Sequence, residues 1–295
     1  MVFVSPHQDD ETLYFSQMIA KAVDEYGGEN VYVILVSDGA ASSVKKADII
    51  KDPVGEIVEA TNLPVSVMEE DAILSAFFSR ARTNEMRDAI AALGVTNELE
   101  TEFFGDGKLP QSVEEIKEKL KQRIEAKDGN LMVVTYSPYF DVHADHRATG
   151  QAVYELYAEK PEGAFGGAMF IVRCEEELNE QFLSYSSQML NEQVSYITDQ
   201  SYSDKIGDAL GEYGVYNCPV DLIADAIRTE VQEANCSIVK AVMDCEEAGE
   251  LRLAIGVNSV RDTFALRGRH IAQGCYITYI HKPFDIELYG GIKHE

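Results

Sequence analysis

The sequence predicts an α/β fold, with a Rossmann-like, mostly parallel sheet flanked by helices. Apolar, β-rich segments alternate along the chain with segments of helical periodicity, which is the pattern of βαβ units. Several of the β-rich segments are almost continuously apolar, as strands covered on both faces are. Clusters of histidine and aspartate follow two of these segments, and ligand sites of open parallel sheets gather at the carboxyl ends of strands.

The first forty residues predict one βαβ unit. Val2–Val4 is a short apolar strand, and Glu11–Tyr26 carries apolar residues at helical spacing until Gly27 ends the helix. Val31–Val36 is a nearly continuous, β-rich strand. Residues 40–72 then lose clear periodicity, which predicts a long loop or insertion over the site.

The alternation continues to about residue 172. A capping-box pattern at residues 112–115 opens one of the predicted helices. The predicted elements are, in chain order, a helix over Arg80–Leu93, a strand over Thr101–Phe104, a helix from Ser112 to about Ala126, a strand over Leu131–Tyr136, a helix over Asp145–Tyr157 and a strand over Ala168–Val172.

Residues 191–295 are predicted to form a C-terminal α+β extension of a domain that covers residues 1–190. Helical periodicity runs from Val220 to about Glu246, and Leu251–Ile255 and Tyr276–Ile280 resemble strands. Three roles are open for the extension: a lid, a dimerisation element or a part of the same domain.

Composition excludes several classes of partner. Lys and Arg number 25 against 51 Asp and Glu, a formal net charge of −26, which argues against nucleic acid and anionic membrane surfaces. No apolar run reaches about 18 residues, so no membrane span is expected. The five cysteines include no Cys-x-x-Cys pair, and the first strand begins at Val2, without room for a signal peptide. A cytoplasmic location is expected.

The segment after the first strand, Ser5–Glu11, holds potential metal ligands. A catalytic zinc site takes three protein ligands and keeps a fourth position for water or substrate. His7 and Asp10 could supply two of them, because residues three apart share one face of a helical turn. Asp9 would point elsewhere and could take a proton from water.

The later segment, His143–His146, repeats this chemistry. One of its histidines could be the third ligand, while the other stays free to polarise a carbonyl oxygen or protonate a leaving group. Asp145 could hold the free imidazole in one tautomer. Asp38, just past a strand end, could contact substrate or simply form a turn.

These motifs resemble the PIG-L/LmbE-like family of zinc-dependent N-deacetylases. That family carries a Pro-His-x-Asp-Asp-Glu segment after its first strand and a His-x-Asp-His segment later, and both are complete here, at residues 6–11 and 143–146. Weaker shared features are Arg82–Glu85, Phe104–Gly107 and Tyr185–Gln188. The resemblance covers roughly the first 190 residues.

The resemblance implies a role for each motif residue. The implied roles are zinc ligand for His7, Asp10 and His146, general base for Asp9, acid and oxyanion stabiliser for His143, positioning of His143 for Asp145, and substrate contact for Arg82 and Asp106. It also implies one zinc per chain, with another divalent metal such as Fe²⁺ compatible. The implied reaction removes an N-acyl group, normally acetyl, from an amino sugar such as an N-acetylglucosamine conjugate.

Two positions depart from the family pattern. Residues 12–16, Thr-Leu-Tyr-Phe-Ser, stand where the family has leucine and glycines, so bulkier groups must pack behind the site. Asp141 stands where an aromatic residue is common, and Tyr139 is the nearby aromatic that could replace it.

Two other functions fit parts of the sequence. Two histidines and one carboxylate also form the facial triad of non-haem iron oxygenases, although those enzymes usually have a β-rich fold. A non-catalytic, metal-containing sugar-binding or regulatory protein is the second alternative, but pure binding would not require Asp9 and His143. A small-molecule substrate is expected as the partner, and a homo-oligomer is compatible with the sequence.

Overall fold

The protein is described from a computed structural model, which covers residues 1–41, 67–159, 165–172, 194–197, 202–213 and 278–281. Its main elements are β1 (Val2–Ser5), α1 (Asp10–Leu13), α2 (Ser16–Tyr26), β2 (Tyr32–Ser37), α3 (Val67–Ala92), β3 (Glu100–Phe104), α4 (Val113–Glu125), β4 (Leu131–Tyr136), α5 (Ala144–Glu159), β5 (Phe165–Val172), β6 (Val194–Ile197), α6 (Ser203–Gly211) and β7 (Thr278–His281). Among the described helices, none is both long and apolar enough for a membrane crossing.

The strands form one sheet in the order β3-β2-β1-β4-β5-β7-β6. The first five strands in this order are parallel, and β7 is antiparallel to both β5 and β6. The predicted Rossmann-like, mostly parallel sheet is confirmed. From β1 the chain proceeds to β2 and β3 on one side, then returns to place β4 and β5 on the other. The carboxyl ends of β1 and β4 therefore border the crevice where such sheets bind ligands.

Helices cover the central strands on both faces. Val2 and Val4 of β1 belong to an apolar cluster with residues of α4 and α5, whereas Phe3 belongs to a second cluster with residues of α2, α3 and α6. This alternation follows from the two-residue period of a strand. Full burial of one such side chain is worth about 1.5–3 kcal/mol, so the near-continuous apolar character of β1 is explained by packing.

Three differences from the sequence predictions concern helices. The helix expected over residues 11–26 is interrupted at Tyr14, which lets Phe15 pack against Tyr136 at a ring distance of 5.0 Å. α3 starts at Val67, so the loop expected to reach residue 72 is wrong there. The segment Val67–Ala92 contains neither Gly nor Pro. Ser112 precedes α4 as predicted, but its side chain makes no capping hydrogen bond.

Other predictions fall largely outside the described residues. The helix expected over Val220–Glu246, the strand over Leu251–Ile255 and the family-like segment Tyr185–Gln188 lie outside them. Of the strand expected over Tyr276–Ile280, residues 278–280 belong to β7.

Gly150 on α5 allows the helix to approach the end of β4. A Cβ atom there would lie 2.4 Å from the Tyr136 carbonyl oxygen and 2.7 Å from the Pro138 nitrogen, both of them backbone atoms. We expect Gly150→Ala to lower the free energy of unfolding by about 1–3 kcal/mol, and the melting midpoint by about 2–12 °C.

Gly207→Ala in α6 is the matched control, because a Cβ atom there meets nothing within 4 Å. Alanine favours a helix more than glycine does, so this variant should be unchanged or slightly more stable. Calorimetry compares the two variants. A Gly150→Ala protein as stable as wild type would contradict the close approach.

Candidate metal centre

The loop after β1 folds His7 and Asp10 together. The Ser5 hydroxyl donates a hydrogen bond to the His7 carbonyl oxygen at 2.9 Å, and the His7 N–H donates to Asp10 Oδ2 at 3.0 Å. α1 begins at Asp10, so the carboxylate projects back from the first helical turn over the histidine.

Asp9 lies between these two residues in an unusual backbone conformation. Its φ and ψ angles are 96° and −27°, and it is the one non-glycine residue with positive φ in the part of the chain that the structure describes. Sparsely populated conformations of this kind cost about 1–3 kcal/mol and cluster at functional sites. Two consecutive carboxylates consequently meet different partners, His7 for Asp10 and Arg82 for Asp9.

Asp141 organises the loop that leads from β4 into α5. Its Oδ1 accepts the His143 N–H at 2.7 Å, and its Oδ2 lies 3.1 Å from His146 Nδ1. The Arg147 guanidinium donates to the Asp141 carbonyl oxygen at 2.5 Å. One buried aspartate therefore sets the direction of His146, a role that the sequence analysis did not assign. The sequence did contain a signal for this role, because Asp141 lies in the same short loop as two histidines.

Three potential ligand atoms form a nearly equilateral triangle. His7 Nδ1 and His146 Nε2 are 3.2 Å apart, and Asp10 Oδ2 lies 3.3 Å from each of them. Ligand atoms about 2.0–2.1 Å from a tetrahedral zinc are separated by about 3.3–3.4 Å. The residues of the predicted ligand set thus meet with the spacing of three corners of a tetrahedron.

The remaining polar atoms of the same three residues are each anchored. His7 Nε2 lies 3.3 Å from both Asp106 Oδ1 and Asp145 Oδ2, and His146 Nδ1 lies beside Asp141. The Tyr136 hydroxyl donates to Asp10 Oδ1 at 2.7 Å, and its ring stacks on His146 at 4.0 Å. Metal-binding histidines typically have such partners on the second nitrogen, which fix the tautomer and the ring orientation.

Two other groups of potential ligands share residues with the triangle. His7, His143 and His146 offer one set, and His7, Asp106 and Asp145 another, each with atoms within 4.8 Å of one another. In the His7–Asp10–His146 triangle all three separations are 3.2–3.3 Å. This spacing matches the ligands of one tetrahedral ion, so the triangle is the candidate set for a single metal ion.

His143 lies at the edge of the triangle and is exposed. Its ring is 4.8 Å from that of His7 and 4.7 Å from that of His146. Its Nδ1 lies 3.3 Å from the Asp145 backbone N–H, which makes Nδ1 the acceptor and leaves the ring proton on Nε2. Partial burial and the neighbouring imidazoles lower the pKa of His143.

Asp145 does not make the side-chain contact that the sequence predicted. Its carboxylate was expected to orient the His143 ring, but Asp145 Oδ2 lies against His7 and accepts the Gly107 N–H at 2.6 Å. The expected contact is wrong because Asp145 is buried in the first turn of α5, facing the turn after β3. Its backbone amide, rather than its carboxylate, meets His143.

Arg82 from α3 pairs directly with Asp9. Its Nη2 lies 3.1 Å from Asp9 Oδ2 and donates to the Gln8 carbonyl oxygen at 2.8 Å. Arg82 is only 4 % exposed, so it is not part of a surface ion pair. Burial raises the pKa of Asp9, and Asp10 adds to the rise, while Arg82 opposes it.

The charges around the triangle favour a cation. Burial by itself would lower the pKa of His7, but hydrogen bonds with Asp10, Asp106 and Asp145 raise it well above its ordinary value. Burial opposes ionisation of Asp10, yet His146 and His7 hold its pKa well below the usual range. A site that holds protons on two imidazoles through carboxylates also attracts a metal ion, which competes with those protons.

Glu11 and Tyr213 form a buried carboxyl–phenol pair beside the loop that carries His7 and Asp9. The Tyr213 hydroxyl donates to Glu11 Oε1, and the Thr12 hydroxyl donates to the same oxygen at 2.6 Å. Burial raises the pKa of Glu11 to about 7. The sequence patterns predict no role for Glu11 or Tyr213. Glu11 belongs to the acidic motif, whereas no local pattern marks Tyr213.

Asp38 and Asp106 shape the adjoining turn. Asp38 Oδ1 accepts the N–H groups of Ala40 at 2.9 Å and of Asp106 at 3.1 Å. Asp106 Oδ2 accepts the Ala41 N–H at 2.9 Å, and its Oδ1 faces His7. Asp38 therefore holds the turn that carries Asp106, which agrees with the turn-forming alternative considered for it.

A described cavity lies elsewhere. It has a volume of about 770 Å³ and is lined at the amino ends of strands by Met1, Tyr32 and Leu131, with Met18 and Met169 beside them. None of the candidate metal ligands borders it. Because the catalytic groups of parallel sheets gather at the opposite ends of the strands, this cavity is not the candidate site.

Several solved structures resemble the chain at low identity. The pseudoaglycone deacetylase of an antimicrobial reagent is 18 % identical, with a TM-score of 0.47, and the match covers 96 % of this chain and 98 % of that one. The N,N′-diacetylchitobiose deacetylase of Pyrococcus horikoshii is 18 % identical, with a TM-score of 0.42 and coverages of 87 % and 83 %. The 4-carboxy-2-hydroxymuconate hydratase of Pseudomonas putida is 15 % identical, with a TM-score of 0.45 and coverages of 100 % and 98 %.

The sequence comparison with protein families is more specific. No curated protein matches the chain by sequence. The family model for GlcNAc-PI de-N-acetylases (PIG-L) matches residues 2–157, more than half of the 295 residues. That range contains both motifs and every residue of the compact triangle. The chain therefore belongs to the PIG-L family of de-N-acetylases.

Proposed function

We propose that the protein is a metal-dependent N-deacetylase that hydrolyses the acetyl amide of an amino sugar, with an N-acetylglucosamine conjugate as the substrate class. The observation that carries this proposal is the triangle of His7, Asp10 and His146, with separations of 3.2–3.3 Å and the Asp9 carboxylate on the same loop. Membership of the PIG-L family supports the choice of an amide of glucosamine.

His7, Asp10 and His146 would hold one divalent ion, and zinc is the ion that we propose. Two imidazoles and one carboxylate form a common zinc set in hydrolases, and they also suit ferrous iron. The α/β fold favours the hydrolase over the oxygenase alternative. When bound, the metal would polarise the amide carbonyl group and lower the pKa of the attacking water.

Asp9 is the proposed general base. Burial raises its pKa towards the range in which a base works efficiently near neutral pH. The guanidinium of Arg82, 3.1 Å from Asp9 Oδ2, would keep the carboxylate in one orientation. Asp9 would accept one proton as the water oxygen attacks the carbonyl carbon. The carbon–nitrogen bond then breaks as Asp9 returns that proton to the nitrogen, which gives a free amine and acetic acid. The second proton of the water ionises from the new carboxyl group to solvent, so acetate and the amine leave.

His143 is the proposed oxyanion donor. Its lowered pKa favours the neutral ring, and its Nδ1 accepts the Asp145 N–H, so Nε2 carries the proton that it can donate. A neutral N–H at the exposed edge of the site suits a carbonyl oxygen that gains negative charge.

The other predicted residues receive revised roles in this proposal. Asp145 would orient His7 rather than His143, and Arg82 would hold Asp9 rather than the sugar. Asp106, which lies beside His7, stays the proposed substrate contact, and Asp38 supports it. The cytoplasmic location, the homo-oligomer and the division at residue 190 stay predictions.

Metal removal tests the proposed function. After treatment with a chelator, the protein should release no amine from a panel of N-acetylglucosamine conjugates, and added zinc should restore release with about one metal ion per chain. Metal content is measured by mass spectrometry, and amine by a fluorogenic reagent. One bound metal without amine release across the panel would contradict the deacetylase and favour the sugar-binding alternative.

A further inference from the structure

Tyr213 comes from a part of the chain beyond the segment that matches the family model, which ends at residue 157. It lies two residues beyond the end of α6 and is completely buried, and its N–H donates to the Leu210 carbonyl oxygen at 3.3 Å. Ile206 and Leu210 of α6 belong to the same apolar cluster as Phe3 of β1. The position of the Tyr213 phenol is therefore fixed by the core of the sheet.

The Tyr213 hydroxyl belongs to a small hydrogen-bond network with Asp9, Glu11 and Thr12. It donates its proton to Glu11 Oε1 and accepts the Asp9 N–H at 3.0 Å. Glu11 Oε2 accepts the same N–H at 3.1 Å, and Thr12 donates to Glu11 Oε1. The phenol thus uses its one proton for Glu11 and one lone pair for the backbone of Asp9.

The network binds the backbone N–H of Asp9, the residue with the unfavourable backbone conformation. A side chain leaves Cα in a direction that φ and ψ determine, so the left-handed geometry of Asp9 decides where its carboxylate lies. The ring of Tyr213 also lies 5.6 Å beneath the guanidinium of Arg82, the partner of the Asp9 carboxylate. Tyr213 therefore contacts both the backbone of Asp9 and the group that orients its side chain.

We propose that Tyr213 is a positioning residue, which together with Glu11 holds Asp9 in its left-handed conformation, so that the segment 203–213 completes the catalytic site. The inference rests on the proposed function, because it assigns Tyr213 an effect on the base of that reaction. It goes beyond the motif residues, since no family motif of the sequence includes Tyr213.

Tyr213→Phe tests the proposal, because it removes only the hydroxyl. With the metal-loaded protein and the best conjugate of the panel, kcat should fall about tenfold while KM stays within about twofold, because misplacement of a catalytic group acts on the chemical step. Metal content should not change. Hydrogen exchange of the Asp9 amide, followed by NMR, should become about tenfold faster, since one of its two acceptors is gone.

Ile206→Val is the matched control. It loosens the packing of α6 in the same cluster without touching the hydroxyl network, so kcat and Asp9 exchange should remain at wild-type values. In an Asp9→Asn background, Tyr213→Phe should cause no further loss of residual turnover.

Two outcomes would overturn the proposal. The first is a Tyr213→Phe protein whose kcat and Asp9 amide exchange rate equal those of wild type. The second is an Ile206→Val protein in which kcat and the exchange rate change as much as in Tyr213→Phe. If wild type released no amine from any conjugate, the proposed function would fail, but Asp9 exchange would still decide whether Tyr213 holds the loop.

Discussion

Replacing Asp9 with asparagine should lower kcat by about 10²–10⁴-fold and leave the metal content near one ion per chain. General acid–base catalysis contributes about this factor, and asparagine cannot accept the proton from water. Asparagine matches aspartate in shape and tolerates a left-handed backbone, so the φ of 96° need not change. The substitution therefore isolates the loss of the base.

The measurement pairs steady-state amine release with metal analysis of the same sample. Asp88→Asn, which changes an exposed carboxylate on α3, controls for the loss of one negative charge and should behave as wild type. Loss of metal from Asp9→Asn would place Asp9 among the ligands. Unimpaired turnover would remove it from the mechanism.

Replacing His146 with alanine should abolish stable metal binding and, with it, turnover. His146 Nε2 is one corner of the triangle, and two remaining ligands should bind zinc at least about 100-fold more weakly, since loss of even a supporting partner costs 10–100-fold. Asp141→Asn changes such a partner, on His146 Nδ1, and should weaken binding by about 10–100-fold without abolishing it. Competition with a chromophoric chelator measures both affinities.

His143→Ala is the comparison that makes this prediction specific. It should keep wild-type metal affinity and lose turnover, because His143 lies outside the compact triangle. If His143→Ala lost the metal while His146→Ala kept it, His143 would replace His146 in the ligand set. His146→Gln, which fills more of the buried space than alanine, separates loss of a ligand from loss of packing, and circular dichroism checks the fold.

The sequence was sufficient for features that depend on short stretches of chain. The apolar strand over Leu131–Tyr136 was located at its observed bounds, because burial on both faces leaves a continuous apolar run. The spacing also indicated His7 and Asp10 as candidate ligands, because they lie three residues apart, and it offered one histidine of the later motif as the third. The family resemblance, rather than the spacing, singled out His146. The predicted helix over residues 11–26 was wrong at Tyr14, where packing of Phe15 against the core outweighs local periodicity.

What only the tertiary structure decided is which distant groups meet. By itself the sequence determined the α/β class, the order of β1 to β5 along the chain and the two clusters of potential ligands, but it did not predict β6. It did not place the Asp145 carboxylate on His7, nor Arg82 on Asp9, and it gave no sign that Tyr213, 204 positions away, accepts the Asp9 N–H. The physical reason is the short distance along the chain over which a sequence pattern carries structural information. Periodicity and spacing report the conformation of neighbouring residues, whereas these contacts depend on how separate helices pack against one sheet.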